Sequence, residues 1–272
     1  MSKQYTIYGN PVVHSKSPQM HNAGFKLLNI DASYSKTLLE DGSKIKEEFL
    51  SNNISGANIT VPHKEAAFTN ADIVDEFALQ IGAVNTYINE DGKVKAYNTD
   101  APGFYKAIEE FGEVKNVLLL GAGGTAKAIA VILRSKDIKV TILNRSQNSR
   151  DFFTNLGCRF YDHDTLRLFF SGGGVDFDYD LIVNSTSAGL KDDTYPAPLE
   201  LLRPALRNAS FAIDCIYGKI TPFLQIAKDL NIRYKDGEDM LLYQGVIAFE
   251  LFTSTKATDK LIEAMRQGLK SS

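Results

Sequence analysis

The chain has 272 residues, more than one compact core usually holds, and at 44% hydrophobic and 23% charged it is too apolar for disorder and ordinary for a globular protein. Thirty Lys and Arg against 33 Asp and Glu leave a formal net charge of −3, which offers no broad basic surface to a nucleic-acid backbone. The most apolar stretch, 117–133, is interrupted by Lys127 and three glycines and cannot span a bilayer, and the opening MSKQYTIYGN lacks the apolar core of a signal peptide, so a cytoplasmic location is expected.

Short β-rich runs alternate with helical patterns, which predicts α/β architecture in two domains with parallel sheets. Strands are expected over 5–8, 34–39 and 57–61, and helices over 19–28 and 43–50. Further strand-like runs over 83–88 and 93–97 flank Asp91-Gly92, a hairpin signal. A helix over 103–111 leads into a second series of strands at 116–120, 139–143, 158–161, 181–183, 211–214 and 232–234. Helices over 240–253 and 258–269 end the chain. The expected division is a first domain over 1–101 and a second over 102–239, with the segment 240–272 packing back on the first.

The second series opens on a buried strand that runs into Gly121-Ala122-Gly123-Gly124-Thr125-Ala126 and then a helix. Gly121, Gly123 and Ala126 take the three positions of the dinucleotide fingerprint G-x-G-x-x-[G/A] in its strand–turn–helix setting. The first glycine permits the turn, the second lets backbone approach a pyrophosphate, and the alanine lets helix and strand pack closely. N–H groups at the helix start then face the anion. At the end of the next strand, where an NAD site carries an acid for the ribose 2′-hydroxyl, this chain has Asn144-Arg145-Ser146. A guanidinium binds a 2′-phosphate in fork geometry, so the expected cofactor is NADP.

Four polar clusters mark the first domain. Ser15-Lys16-Ser17-Pro18 follows the first strand, with Pro18 at a helix start and Ser17 readable as its N-cap. Asn58-Ile59-Thr60-Val61-Pro62-His63-Lys64 leaves a strand, and alternation sets Asn58, Thr60 and Lys64 on one face with His63 on the other. Gly82-Ala83-Val84-Asn85-Thr86 and Asn98-Thr99-Asp100 complete the set. Cys158 and Cys215 are too few for a disulfide framework, and they and the scattered His14, His21, His63 and His163 lack metal-ligand spacing, so no metal is expected.

Taken in order, SKSP, NITVPHK, GAVNT, YNTD, GAGGTAKA, NRS, NSTSAG and DGEDMLLYQ resemble the shikimate dehydrogenase family over nearly the whole chain. The resemblance implies an α/β substrate domain and a Rossmann-like NADP domain with a cleft between them. It also implies reversible NADP-dependent reduction of 3-dehydroshikimate to shikimate, within aromatic amino-acid biosynthesis. By matching positions, Lys64 and Asp100 would be the catalytic pair. Ser15 and Ser17, with Tyr217, would hold the substrate carboxylate, and Asn58, Thr60, Asn85 and Gln244 would hold ring hydroxyls or order their surroundings. Gly121, Ala122, Gly123, Gly124, Thr125, Ala126, Asn144, Arg145 and Ser146 would bind NADP, with Thr186, Cys215, Gly237 and Met240 near its nicotinamide half. Partners would be the small-molecule substrate alone, with no nucleic acid or membrane, in a monomer or homodimer. The chain departs from the family pattern at Ala101-Pro102, at Ser149 and at Glu238-Asp239, the last placing acid near the cofactor. The competing readings are a dehydrogenase of quinate and shikimate using NAD, and a non-catalytic NADP-binding regulator of the same fold. An intact Lys64–Asp100 pair weighs against the regulator, since a sensor needs no proton donor.

Overall fold

Strand β1 (Lys3–Gly9) is buried from Tyr5 onward on both faces, the signature of a strand at the centre of a sheet rather than its edge. In the computed structural model, which describes residues 2–171 and 178–271, β1 lies between β2 (Ala32–Leu38) and β3 (Gly56–Ile59). The sheet continues through β5 (Thr86–Glu90) and β6 (Lys93–Tyr97) to the two-residue β4 (Ile73–Val74). Both β1 pairings are parallel, but β3–β5 and β5–β6 are antiparallel, so the expected parallel sheet is here a mixed one. The cause is the tight turn at Asp91-Gly92, which returns the chain beside itself; Gly92 has φ +84 and donates its N–H to the Asn89 side chain. Helices α1 (Ser17–Leu27), α2 (Ile45–Ser51), α3 (Lys64–Asn70) and α4 (Glu76–Ile81) connect these strands.

Two apolar clusters form the core of this unit. One gathers Tyr5, Met20, Phe25 and Tyr34 with Phe249 and Met265 from the last two helices, α11 (Glu238–Thr253) and α12 (Asp259–Lys270). The other gathers Tyr8, Phe49, Ile59, Ala67 and Tyr87. Chain division follows the packing: Met1–Gly103 and Leu241–Ser272 form one compact unit, and Phe104–Met240 a second.

The second unit is an all-parallel sheet of β7 (Asn116–Leu120), β8 (Lys139–Asn144), β9 (Arg159–Asp162), β10 (Leu181–Asn184), β11 (Phe211–Asp214) and β12 (Arg233–Lys235) in the order β12-β11-β10-β7-β8-β9. That is the doubly wound order, with the chain reversing direction of growth between β7 and β10. Near-continuous apolar runs such as Val117-Leu118-Leu119-Leu120 are what a strand covered on both faces requires. Helix α5 (Asp100–Ile108) precedes the sheet, and α6 (Gly124–Ser135), α7 (Arg150–Asn155), α8 (His163–Ser171), α9 (Leu199–Asn208) and α10 (Pro222–Asp229) connect its strands. Among the described residues no helix is long and apolar enough to cross a membrane.

Several expected boundaries move. The strand expected over 57–61 stops at Ile59, because the His63 N–H returns to the Thr60 carbonyl and closes a turn. The strand expected over 83–88 starts at Thr86, since α4 ends on Gly82 in the left-handed region and residues 83–85 are still leaving that cap. The helix expected over 103–111 begins three residues early at Asp100. Asn98 accepts the N–H groups of both Asp100 and Ala101, and Pro102 sits in the first turn, where its missing donor costs nothing.

Candidate active site

The register of the first sheet gathers the polar clusters at one edge. Asn58 near the end of β3 pairs with Thr86 at the start of β5, and Thr86 pairs with Tyr97 at the end of β6. Residues just beyond those strand ends therefore converge. Lys64 opens α3 and Asp100 opens α5, and the Lys64 Nζ donates to Asp100 Oδ2 at 2.6 Å in an ion pair with side chains 24% and 12% exposed. The other oxygen, Asp100 Oδ1, accepts from Asn85 Nδ2 at 2.9 Å. Both carboxylate oxygens are thus held, one by a charge and one by a neutral amide.

Asn85 is the hub. Its second amide hydrogen is directed at Thr99 Oγ1 at 3.0 Å, with Gln244 Oε1 3.4 Å from the same nitrogen, while its Oδ1 accepts the Thr99 N–H at 2.7 Å and the Thr86 hydroxyl at 3.1 Å. Gln244, buried on α11, spends its own amide on the Leu241 carbonyl at 2.8 Å. Asn58 donates to the Asn85 carbonyl at 3.3 Å and Thr86 Oγ1 at 3.1 Å and accepts from the Tyr34 hydroxyl at 2.6 Å. Thr60 is half-buried, its N–H donated to the Tyr8 carbonyl. Of the residues expected here, the structure brings Lys64, Asp100, Asn85, Asn58 and Gln244 into one connected group.

His63 lies outside that group. It is buried, with Nε2 2.7 Å from the Leu39 carbonyl oxygen, and serves packing. The alternation used to separate His63 from Lys64 does not operate, because residues 61–63 form a turn and Lys64 is already helical. The two side chains diverge because His63 ends the turn and Lys64 starts the helix.

Ser15 and Ser17 form a second pair at the start of α1. The Ser15 hydroxyl donates to Ser17 Oγ at 3.2 Å and accepts the Ser17 N–H at 3.3 Å, and both residues are buried. Ser17 is the first helical residue and Lys16 holds the cap position with no capping side chain, so the N-cap reading of Ser17 does not hold.

In the second unit, Gly121 has φ +102, a conformation that side chains rarely tolerate, and a Cβ there would meet Thr186 Cγ2 at 2.8 Å. At Gly123 and Gly124 a Cβ would meet nothing within 4 Å, leaving open space over the first turn of α6, whose leading N–H groups have no partner within the helix. Ala126 is fully buried against the sheet. Asn144 ends β8 and donates to the Ser146 carbonyl at 2.8 Å, and Arg145 follows it, exposed. These residues fit a dinucleotide phosphate arm.

Across the same edge, Thr186 gives its N–H and hydroxyl to Asn184 Oδ1 at 3.0 and 2.7 Å, and Asn184 Nδ2 donates to Asp214 Oδ2 at 3.0 Å. Asp214 also accepts from the Thr221 hydroxyl at 2.6 Å and the Ile216 N–H at 2.9 Å; burial pushes its carboxyl above the ordinary value. Gly237 packs so closely on the Cys215 carbonyl that no Cβ fits, and its N–H donates to the Ile216 carbonyl at 2.9 Å. Tyr217 is exposed and Met240 half-buried. The acid expected near the cofactor is partly neutralised: Asp239 Oδ2 lies 2.6 Å from Lys235 Nζ, which also reaches Glu110 at 2.7 Å.

Sequence reasoning missed Tyr34, Thr86, Asn184 and Asp214, all fully or nearly fully buried. Thr86 and Asn184 lay inside quoted motifs and were readable as polar residues in apolar strands. Tyr34 left no local signal, because its partner is on a strand two places away.

A doubly wound unit with a glycine turn, joined to a unit carrying a fixed lysine–carboxylate pair, defines a two-unit dinucleotide-dependent dehydrogenase. The comparisons narrow the class. The shikimate dehydrogenase substrate binding domain matches residues 7–87. The NADP(+) shikimate dehydrogenase of Helicobacter hepaticus is 42% identical over 263 residues, 96% of this chain and 95% of that one, and that of Helicobacter pylori strain P12 is 41% identical over 269 residues, 97% and 98% of the two chains. The crystal structure of Thermus thermophilus shikimate 5-dehydrogenase in complex with NADP(H) and shikimate superposes with a TM-score of 0.84 at 30% identity, over 98% of each chain. The chain belongs to the shikimate dehydrogenase family.

Proposed function

We propose that the protein catalyses the reversible NADP-dependent reduction of 3-dehydroshikimate to shikimate. The observation that carries this reading is the 2.6 Å Lys64–Asp100 pair, fixed by Asn85 in a unit otherwise built for hydrogen bonding. Bound NADPH supplies the hydride. As negative charge gathers on the substrate oxygen, the Lys64 ammonium donates a proton to it, and in the oxidation direction the neutral amine takes that proton from the hydroxyl. Asp100 holds the ammonium in place and offers its remaining lone pairs to a substrate hydroxyl. The Ser15 and Ser17 hydroxyls hold the carboxylate and Thr60 faces the ring, while Asn85 and Gln244, engaged with Asp100, Thr99, Thr86 and the Leu241 carbonyl, order the surroundings. Asn58 orders its neighbours rather than holding a ring hydroxyl, since both amide hydrogens and its carbonyl are already engaged within the protein.

The cofactor reading rests on Gly121, Gly123, Gly124 and Thr125 for the pyrophosphate, and on Asn144, Arg145 and Ser146 for the adenosine 2′-phosphate. Thr186, Cys215, Gly237 and Met240 would line the nicotinamide side. Arg145, exposed at the end of β8, supplies charge where an NAD site would carry an acid. The test is the absorbance of reduced nicotinamide with shikimate or quinate, and NADP or NAD, in the four combinations. Turnover with shikimate and NADP is expected to exceed the other three. Better turnover with quinate and NAD would reverse the assignment, and no turnover in any combination would leave only binding.

A further inference from the structure

Asp100 imposes a direction on a chain of buried hydrogen bonds that extends well beyond the residues proposed to meet substrate. A carboxylate only accepts, so the group facing Asp100 Oδ1 at 2.9 Å must be the Asn85 amide nitrogen. Asn85 Oδ1 is then an acceptor, and Thr86 donates its one hydroxyl proton to it at 3.1 Å. Having spent that proton, Thr86 Oγ1 can only accept from Asn58, whose Nδ2 lies 3.1 Å away. That orientation leaves Asn58 Oδ1 as an acceptor, and the Tyr34 hydroxyl donates to it at 2.6 Å. Every proton points toward Asp100, and Tyr34 is the far end.

Tyr34 is itself immobilised. It is buried on β2, and the His21 ring stacks flat on it, 4.4 Å between centroids at an interplanar angle of 2°. The strand order β2-β1-β3 puts β1 between Tyr34 and Asn58, so the tyrosine reaches across a whole strand to make this bond.

We propose that Tyr34 is a positioning residue for catalysis: its hydroxyl orients Asn58, and through Thr86 and Asn85 it sets the angle at which Asp100 presents Lys64. The inference rests on the proposed dehydrogenase function. Tyr34 touches neither of the catalytic side chains, so its influence passes through Asn58, which reaches Asn85 by way of the Thr86 hydroxyl and by its own bond to the Asn85 carbonyl.

A double-mutant cycle between Tyr34→Phe and Thr86→Val tests this, read as kcat with shikimate and NADP, alongside Tm and NADP affinity. Y34F is expected to lower kcat about tenfold, within the loss that small misplacements of reacting groups cause, with NADP affinity unchanged. In the T86V background the same change is expected to cost less than about twofold, because the side-chain route to Asn85 Oδ1 is already cut and only the long bond from Asn58 to the Asn85 carbonyl remains. A hydroxyl that merely stabilised the fold would lower Tm and leave kcat alone. The inference is overturned if Y34F keeps wild-type kcat, or if its effect on T86V is as large as on the wild type. Should Y34F not fold, Tyr34→Leu takes its place in the cycle. Absence of turnover in the wild type would sink the proposed function instead, so the two failures are separable.

Discussion

The two units hold their candidate sites by opposite means. In the first, side chains do the work: Lys64, Asp100, Asn85, Thr86, Asn58 and Tyr34 each satisfy another, and buried amides leave few hydrogen-bonding positions idle. In the second, the phosphate loop depends on side chains being absent, with Gly121 at φ +102 under Thr186 and open space over Gly123 and Gly124. A network of side chains fixes angles and so suits proton transfer, whereas bare backbone admits a large anion closely. Substitutions in the first region should therefore act on turnover, and those in the second on cofactor affinity.

That contrast is sharpest at Lys64. Lys64→Ala is expected to lower kcat about a hundredfold or more, the range for a general acid–base residue, while NADP affinity stays unchanged. His63→Ala is the control, expected to lose stability through the vacated contact with Leu39 and to keep kcat. Turnover that survives K64A and collapses in the histidine variant would transfer the role to the neighbouring residue.

The second unit should answer in the other quantity. Arg145→Ala is expected to weaken NADP by roughly 1.5–3 kcal/mol, about tenfold to a hundredfold in Kd by titration, and to leave NAD nearly untouched. An equal loss for both cofactors would mean the arginine shapes the loop without reading the 2′-phosphate.

A third measurement concerns the cost of the first unit's buried polarity. His21 is fully enclosed, neither ring nitrogen has a hydrogen-bond partner among the described residues, and burial pushes its imidazole down to about 3. Between its ordinary value near 6.5 and about 3, the unfolded chain takes up a proton that native His21 refuses, so stability falls as pH falls. From about pH 7 to about pH 5 the loss should be roughly 2 kcal/mol, seen as a falling Tm. His21→Phe, which cannot take up a proton, should flatten that slope; an unchanged slope would place the acid sensitivity elsewhere.

The smallest effect is expected at the serine pair. Ser17→Ala should raise the KM for shikimate roughly three- to tenfold, the worth of one hydrogen bond, with NADP affinity unchanged. A KM that does not move would remove Ser17 from the carboxylate site.

What the sequence disclosed and what it hid divide along the same line. The strand expected over 116–120 is β7 without adjustment, and Gly121 and Ala126 have the roles their positions demand, because turn, strand and helix start are local chemistry. Parallel pairing was over-extended to the first sheet although Asp91-Gly92 already required an antiparallel neighbour. Helices α3 and α4, seven and six residues long, lie outside the expected elements, as does the longer α9. Tyr34 falls within an expected strand, but alternation tells which face a side chain takes and nothing about which strand it reaches.

The exposed hairpin between β5 and β6 gives the geometry of the candidate site a remote dependence. Its turn sets the pairing Glu90↔Lys93, and that pairing counts back without interruption to Thr86↔Tyr97. One step further the Asn85 N–H meets the Tyr97 carbonyl, and Asn98, Thr99 and Asp100 follow at once. The ladder works as a ruler: a single residue inserted near Asp91 would slide one rail against the other and turn alternate side chains to the opposite face. Asn85 would then stand beside the wrong neighbour, and Asp100 would lose its amide though nothing near it had been altered. Loop length, ordinarily free to drift at a surface, is here part of the specification of the candidate site.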